Sequence, residues 1–251
     1  MNPSSFPQHQ FLPGSPVYAL CMMLGVAVGA VFWYRRAKGR SDMLLIYLGA
    51  LIGGFAGAKA AYLMAEGWLE WQQPDRLLRW ATGKSVLGGL LGAYAGVEWV
   101  KHLVGHRSST GDAFAVIVPV GILLGRMGCY VNGCCLGRPA AGVFAVRDVQ
   151  GVARWPAPLV EGAFQVLILA VLLLLQRRGL LRDRLFFLYL AAYGVFRFLH
   201  EFMRDTPKLW HGLSGYQFIS AACVVLGLFM MWRRTKSMLA HAGGGDSLAR
   251  S

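Results

Sequence analysis

Eight ionisable side chains stand inside stretches otherwise apolar enough to lie in lipid: Lys59, Glu66, Glu98, Arg126, Glu161, Arg197, Glu201 and Arg204. Each is costly there unless it is paired or hydrated, so each is a candidate functional group. The sharpest pattern lies near residue 200. At about 100° per residue on a helix, Tyr193, Arg197, His200, Glu201 and Arg204 share a stripe about 100° wide. Glu201 can neutralise Arg197 in the i, i+4 relation, but two arginines against one carboxylate leave positive charge over. Arg126 adds a second such helix, just before a glycine-rich exit at Gly128, Gly133 and Gly137. Guanidinium groups bind phosphate oxygens through paired donors. Arginines converging in a membrane cavity therefore suit an anionic headgroup, with a structural ion network as the plainer reading. His200 could carry protons near neutral pH or be an ordinary helix-end residue.

Cys129, Cys134 and Cys135 form the other chemical cluster. They could be nucleophiles, a redox pair or metal ligands. No Cys-x-x-Cys pair exists and no histidine stands nearby at zinc-ligand spacing. Small buried cysteines are the expected reading, with no metal and no cofactor called for. Five cysteines in all, irregularly spaced, do not make a disulfide framework.

These groups must be positioned by membrane helices. Of 251 residues 56% are hydrophobic and 15% charged, with a mean hydropathy of +0.47, whereas soluble domains carry about 25% charged residues. The expectation is an all-α integral membrane protein. Apolar runs fall at 15–34, 43–65, 85–104, 112–131, 157–176, 185–204 and 214–232, so about seven transmembrane helices form one domain over 15–232. Residues 1–14 lack Lys and Arg, so no basic signal-peptide region is expected. They read as an outer-side segment, and 233–251 as a basic, disordered cytoplasmic tail.

The net charge of +13 sits mostly in short clusters between apolar runs, which points to lipid headgroups rather than nucleic acid. Alternate loops carry 14 basic residues against 7, which puts the N-terminus outside and the C-terminus in the cytoplasm. Trp68, Trp71, Trp80, Trp155 and Trp210 then edge the outer side as interface anchors. Residues 66–84 could form an amphipathic helix on the membrane, and 132–156 read as a structured outer-side loop. Glycines at 53, 54 and 57 and at 88, 89 and 92 suggest close helix packing.

The run Gly125-Arg126-Met127-Gly128-Cys129-Tyr130-Val131-Asn132-Gly133-Cys134-Cys135-Leu136-Gly137-Arg138 resembles the signature of the bacterial prolipoprotein diacylglyceryl transferase family. Tyr193 to Asp205 resembles that family's penultimate helix, and weaker likenesses occur at 85–90 and 155–161. The resemblance implies a seven-helix protein of the bacterial inner membrane. Its reaction moves a diacylglyceryl group from phosphatidylglycerol to the lipobox cysteine thiol of a prolipoprotein, beside the signal peptide, and releases glycerol phosphate.

By that resemblance Arg126 and Arg197 bind the phosphate and stabilise the leaving group. Glu201 and Tyr193 hold the arginines and headgroup, Arg204 closes the outer end, and Asn132, Gly133 and Gly137 shape the floor. Gly88, Gly89 and Glu161 join the substrate-binding set. Three positions depart from the family pattern: Leu87 stands for a histidine, Cys129 for an asparagine and Cys134 for a glutamate. His200 could then take over proton transfer. Alternatives are a different acceptor, a lipid-binding or lipid-translocating protein without catalysis, or a thiol-redox protein built on the three cysteines.

Overall fold

The computed structural model describes residues 16–148 and 150–248, with side chains as far as 238 in the last helix. The expected outer segment 1–14 lies outside the described residues. The helices are α1 (Pro16–Ala37), α2 (Ser41–Ala65), the short α3 (Arg76–Thr82), α4 (Val86–Leu103), α5 (Gly111–Val131), α6 (Ala157–Arg177), α7 (Leu185–His200) and α8 (Gly215–Leu248). Among the described residues six are long and apolar enough to cross a membrane: α1, α2, α5, α6, α7 with the turn that follows it, and α8. The seventh expected span, α4, is not among them. Glu98, Lys101 and His102 and its four glycines dilute its hydropathy. Leu20, Met23, Ile52, Phe55, Leu167 and Val225 are all more than half exposed, as side chains facing lipid tails would be. The chain is a helical integral membrane protein.

α2 and α4 pack against each other, as do α7 and α8, while α5 packs against both α1 and α6. The α2–α4 contact is a ladder of glycines. A Cβ on Gly53 would meet the Gly92 carbonyl oxygen at 2.4 Å, one on Gly57 the Gly88 oxygen at 2.4 Å, and one on Gly96 the Gly49 oxygen at 2.2 Å. Glycines four residues apart on both helices let the backbones touch, which is how membrane helices gain dispersion energy without a hydrophobic drive between them. Gly88 is thus held by packing against α2: a Cβ there would also lie 2.1 Å from that of Ala61, and Gly89 faces Gly54 and Ala58.

The segment after α2 is not one amphipathic helix. A 3-10 turn (Gly67–Glu70) and α3 fold back over the end of α2. Lys59 donates to the carbonyl oxygens of Trp80, Ala81 and Gly83 at 2.5, 2.5 and 3.0 Å. A cation there satisfies the orphan carbonyls that end α3, which accounts for a lysine so near the end of a span. Trp68, Trp71 and Trp210 are more than half exposed. At the other terminus α8 continues through much of the expected basic tail, as far as Leu248.

The glycine ladder makes a direct prediction. Gly92→Val places side-chain carbon where the Gly53 oxygen lies 2.2 Å from the Cβ position, so it should destabilise the protein by about 1–3 kcal/mol. Gly121→Ala on α5, with nothing within 4 Å of the new Cβ, should leave stability unchanged. Thermal unfolding in detergent compares the two.

Candidate active site

α2, α5 and α7 end, and α4, α6 and α8 begin, at one face of the bundle, and there Arg126, Glu161, Arg197, Glu201 and Arg204 meet, whereas Glu98 pairs with Lys101 toward the other end of α4. Glu161, one turn into α6, has no exposed surface. Its Oε1 pairs with Arg126 Nη2 of α5 at 2.9 Å and its Oε2 with Arg197 Nη1 of α7 at 3.3 Å. The Tyr193 hydroxyl donates to Oε1 as well. Glu161 therefore ties three helices together, a role that its spacing in the sequence did not reveal.

Glu201, equally buried, forms the second centre. The expected i, i+4 pair is present, with Arg197 Nη2 at 2.9 Å. α7 ends at His200, and Glu201 opens a 3-10 turn (Glu201–Met203). Arg204 is in extended backbone beyond it, so it leaves the helical stripe, yet its Nε returns to Glu201 at 3.5 Å. The Thr206 and Ser214 hydroxyls donate to Glu201 Oε1 at 2.6 and 3.2 Å, and Lys208 Nζ donates to the Glu201 carbonyl oxygen at 2.7 Å. Partial burial, set against the nearby Glu201 charge, lowers the Lys208 pKa to about 8.

Every oxygen of both carboxylates thus has a partner, while four cations surround them. Two buried donors beside them have no protein partner among the described residues: Arg197 Nε and His200 Nδ1. His200 Nε2 lies 3.1 Å from the Trp155 indole N–H, which can only donate. The His200 proton therefore sits on Nδ1, and in this arrangement the ring is a neutral donor rather than a base. It stacks on Phe196 at 5.0 Å.

The loop from 132 to 156 is stitched to this centre. Gly137 N donates to the Trp155 oxygen and Arg138 N to the Met203 oxygen, at 2.8 and 3.0 Å. A Cβ on Gly137 would lie 2.4 Å from the Met203 oxygen, so that glycine serves the crossing of two backbones. Two short strands, β1 (Val146–Arg147) and β2 (Ala153–Arg154), pair antiparallel, and Arg154 bridges Asp148 and Asp205 at 2.6 and 2.9 Å.

The end of α5 sets the cysteines. Gly133, at φ +64°, closes a Schellman turn in which its N–H reaches the Tyr130 oxygen at 3.0 Å and that of Cys134 reaches the Cys129 oxygen at 3.1 Å. Asn132 is the cap residue. This 6→1 bond folds Cys134 back over Cys129, and Cys135, itself left-handed at φ +60°, turns the chain again. The three Sγ atoms all lie within 4.8 Å of one another. Cys129 is buried, Cys134 half-buried and Cys135 exposed, so they are not uniformly buried core residues. Hydrogen bonds from Cys129 and Cys134, with the charges of Arg126 and Arg204, hold the Cys135 thiol well below the usual thiol range.

The sequence reading missed Gln165, Tyr189, Thr206, Lys208 and Ser214. Tyr189 donates to Gln165 at 3.0 Å and stacks on Tyr193. Tyr189 and Tyr193, like Glu161 and Gln165, stand four apart on one helix, a spacing that could have marked both pairs.

The family described as prolipoprotein diacylglyceryl transferase matches residues 15–233. The chain is 32% identical over 245 residues to the phosphatidylglycerol–prolipoprotein diacylglyceryl transferase of Rhodospirillum centenum, covering 86% of each chain. It is 29% identical to that of Aeromonas hydrophila over 86% of this chain and 84% of the relative. With that of Vibrio parahaemolyticus it shares 33% identity over 76% of this chain and 72% of the relative. With its arginines, Glu161 and the glycine crossings held in one structure, this chain belongs to the prolipoprotein diacylglyceryl transferase family.

Proposed function

We propose that the chain transfers a diacylglyceryl group from phosphatidylglycerol to the cysteine thiol of a prolipoprotein, beside its signal peptide, in a bacterial inner membrane. The single observation that carries the site assignment is the pair of buried donors without protein partners among the described residues, Arg197 Nε and His200 Nδ1, set among cations that outnumber the carboxylates. Such donors call for an acceptor, and a phosphodiester headgroup supplies one that also answers the positive charge. Charge alternation between loops supports seven spans, with α4 as the seventh and the site facing the outer leaflet. The glycine ladder supports this too, since it seats α4 on α2 despite its weak hydropathy.

The reaction converts a singly charged phosphodiester into a leaving phosphomonoester that carries one more negative charge. Arg126, Arg197 and Arg204 neutralise that growing charge in a desolvated site, where such stabilisation is strongest. His200 donates from Nδ1 to a phosphate oxygen. Tyr193 and Glu161 position Arg126 and Arg197, and Glu201 positions Arg197 and Arg204. Asn132, Gly133 and Gly137 fix the loop that forms the floor, and Gly88 and Gly89 act through the α2–α4 contact that forms the wall.

The test is transfer from labelled phosphatidylglycerol to a lipobox peptide by protein in lipid nanodiscs, together with rescue of a strain depleted of its own enzyme. Arg126→Ala should lower kcat about 100- to 1,000-fold and abolish rescue. Lipid binding without any transfer by the unaltered chain would sink the proposal. A second expectation follows from Lys208, which is cationic below about pH 8 and neutral above it. The KM for phosphatidylglycerol should rise as pH passes that value, and Lys208→Arg should remove the rise.

A further inference from the structure

A transferase to a thiol must also make a thiolate, and neither the buried carboxylates nor His200 is free to serve as its base. Glu161 and Glu201 have their oxygens occupied by arginines and hydroxyls. His200 accepts from Trp155 on the nitrogen that would otherwise take a proton. Beside that centre stand three cysteines that no step uses. Cys129 lies three residues beyond Arg126 on α5, so the two share a helix face, and the charge of Arg126 acts on both Cys129 and Cys135.

From this we infer that Cys129, Cys134 and Cys135 form a three-thiolate zinc(II) site whose fourth position takes up the acceptor thiol as a thiolate. The inference rests on the transferase reading above. Zinc–sulfur bonds of about 2.3 Å set tetrahedral sulfurs about 3.8 Å apart, and the three Sγ atoms are already within 4.8 Å of one another. The Schellman bond from Cys134 to Cys129 and the left-handed Cys135 hold that approach in the backbone. Such strain persists only where the surroundings enforce it, and it is often found at functional sites. Three protein ligands with an open position are the pattern of catalytic rather than structural zinc. Exposed Cys135 gives the site access from outside the bundle, and Arg126 and Arg204 offset its net negative charge.

The step balances without a redox partner. The acceptor thiol binds zinc and releases its proton to water, since a coordinated thiol is deprotonated. Its sulfur attacks the glyceryl carbon that carries the phosphate. The C–S bond forms, the C–O bond breaks, and the electron pair leaves on the phosphate oxygen as glycerol phosphate, beside the arginines.

The test uses the full chain in phosphatidylglycerol nanodiscs. Elemental analysis should find stoichiometric zinc, and Cys135→Ser and Cys134→Ser should each weaken zinc binding about tenfold or more. Because Cys135 is exposed, its serine variant should melt at the temperature of the metal-stripped wild type and gain less than wild type on zinc addition, which separates loss of a ligand from misfolding. Cobalt(II) put in place of zinc should show thiolate charge-transfer bands, and a lipobox peptide should shift its ligand-field bands, whereas the same peptide with serine for cysteine should not. Transfer should fall about 100-fold in either cysteine variant. Zinc no higher than in a Cys129→Ser/Cys134→Ser variant overturns the inference, as does a disulfide among the three in freshly isolated protein, or cobalt bands that ignore the peptide. Full transfer by the cysteine variants overturns it while leaving the transferase reading intact. A peptide-responsive metal in a chain that never transfers lipid upholds the site and ends that reading.

Discussion

Glu161 has no exposed surface, and its two oxygens are divided between Arg126 and Arg197. A carboxylate so deep is tolerated only while it is paired, because removing one partner of a buried ion pair costs about 3–5 kcal/mol. That constraint fixes more than one contact. Arg126 comes from α5, Glu161 from α6 and Arg197 from α7, so the requirement sets the relative rotation and depth of three helices together. Tyr193 fills a further lone pair, which leaves the arginines positioned by Glu161 but not cancelled by it. The carboxylate orders the cations without balancing their charge.

The surrounding loops depend on that arrangement. Glu201, shared by Arg197 and Arg204, ends α7 and draws Thr206, Lys208 and Ser214 around it. That cluster fixes the chain between α7 and α8, and the loop from 132 to 156 is sewn to it through Gly137 and Arg138. Arg154 completes the join by bridging an aspartate from each segment. The other half of the bundle is held differently. α2 and α4 meet through glycine backbones, so their contact does not depend on charge.

What could be read from sequence follows the range of the interactions. Arg197 and Glu201 stand one turn apart, so helical periodicity alone predicts their pairing. Glu161 bonds to residues 35 and 36 positions away, and no periodicity links it to Arg126 or Arg197. Glycines illustrate the reverse difficulty. Gly88, Gly133 and Gly137 carry the same letter, yet one packs helices, one caps a helix with a positive φ and one admits a backbone crossing. Lys59 looked like a charge in lipid because its partners are carbonyls, which every residue has. The cysteines looked irregular because spacing rules for metal sites assume common loops, whereas a Schellman turn brings positions five apart together.

The positive excess at this face bears on both halves of the chemistry. On the proposed reading, a site that binds a phosphate also favours any other anion nearby, so arginines that hold the departing group would lower the cost of forming a thiolate beside it. That help has a limit. Charge stabilises the thiolate once formed but supplies no atom to receive the proton, and Glu161 and Glu201 cannot accept it without releasing the arginines they order. A carboxylate acting as base within the ion network would therefore undo the arrangement of the arginines. The physical demand is for thiol activation next to the network but outside it, and Cys129, Cys134 and Cys135 are gathered at that place, one helical turn beyond Arg126.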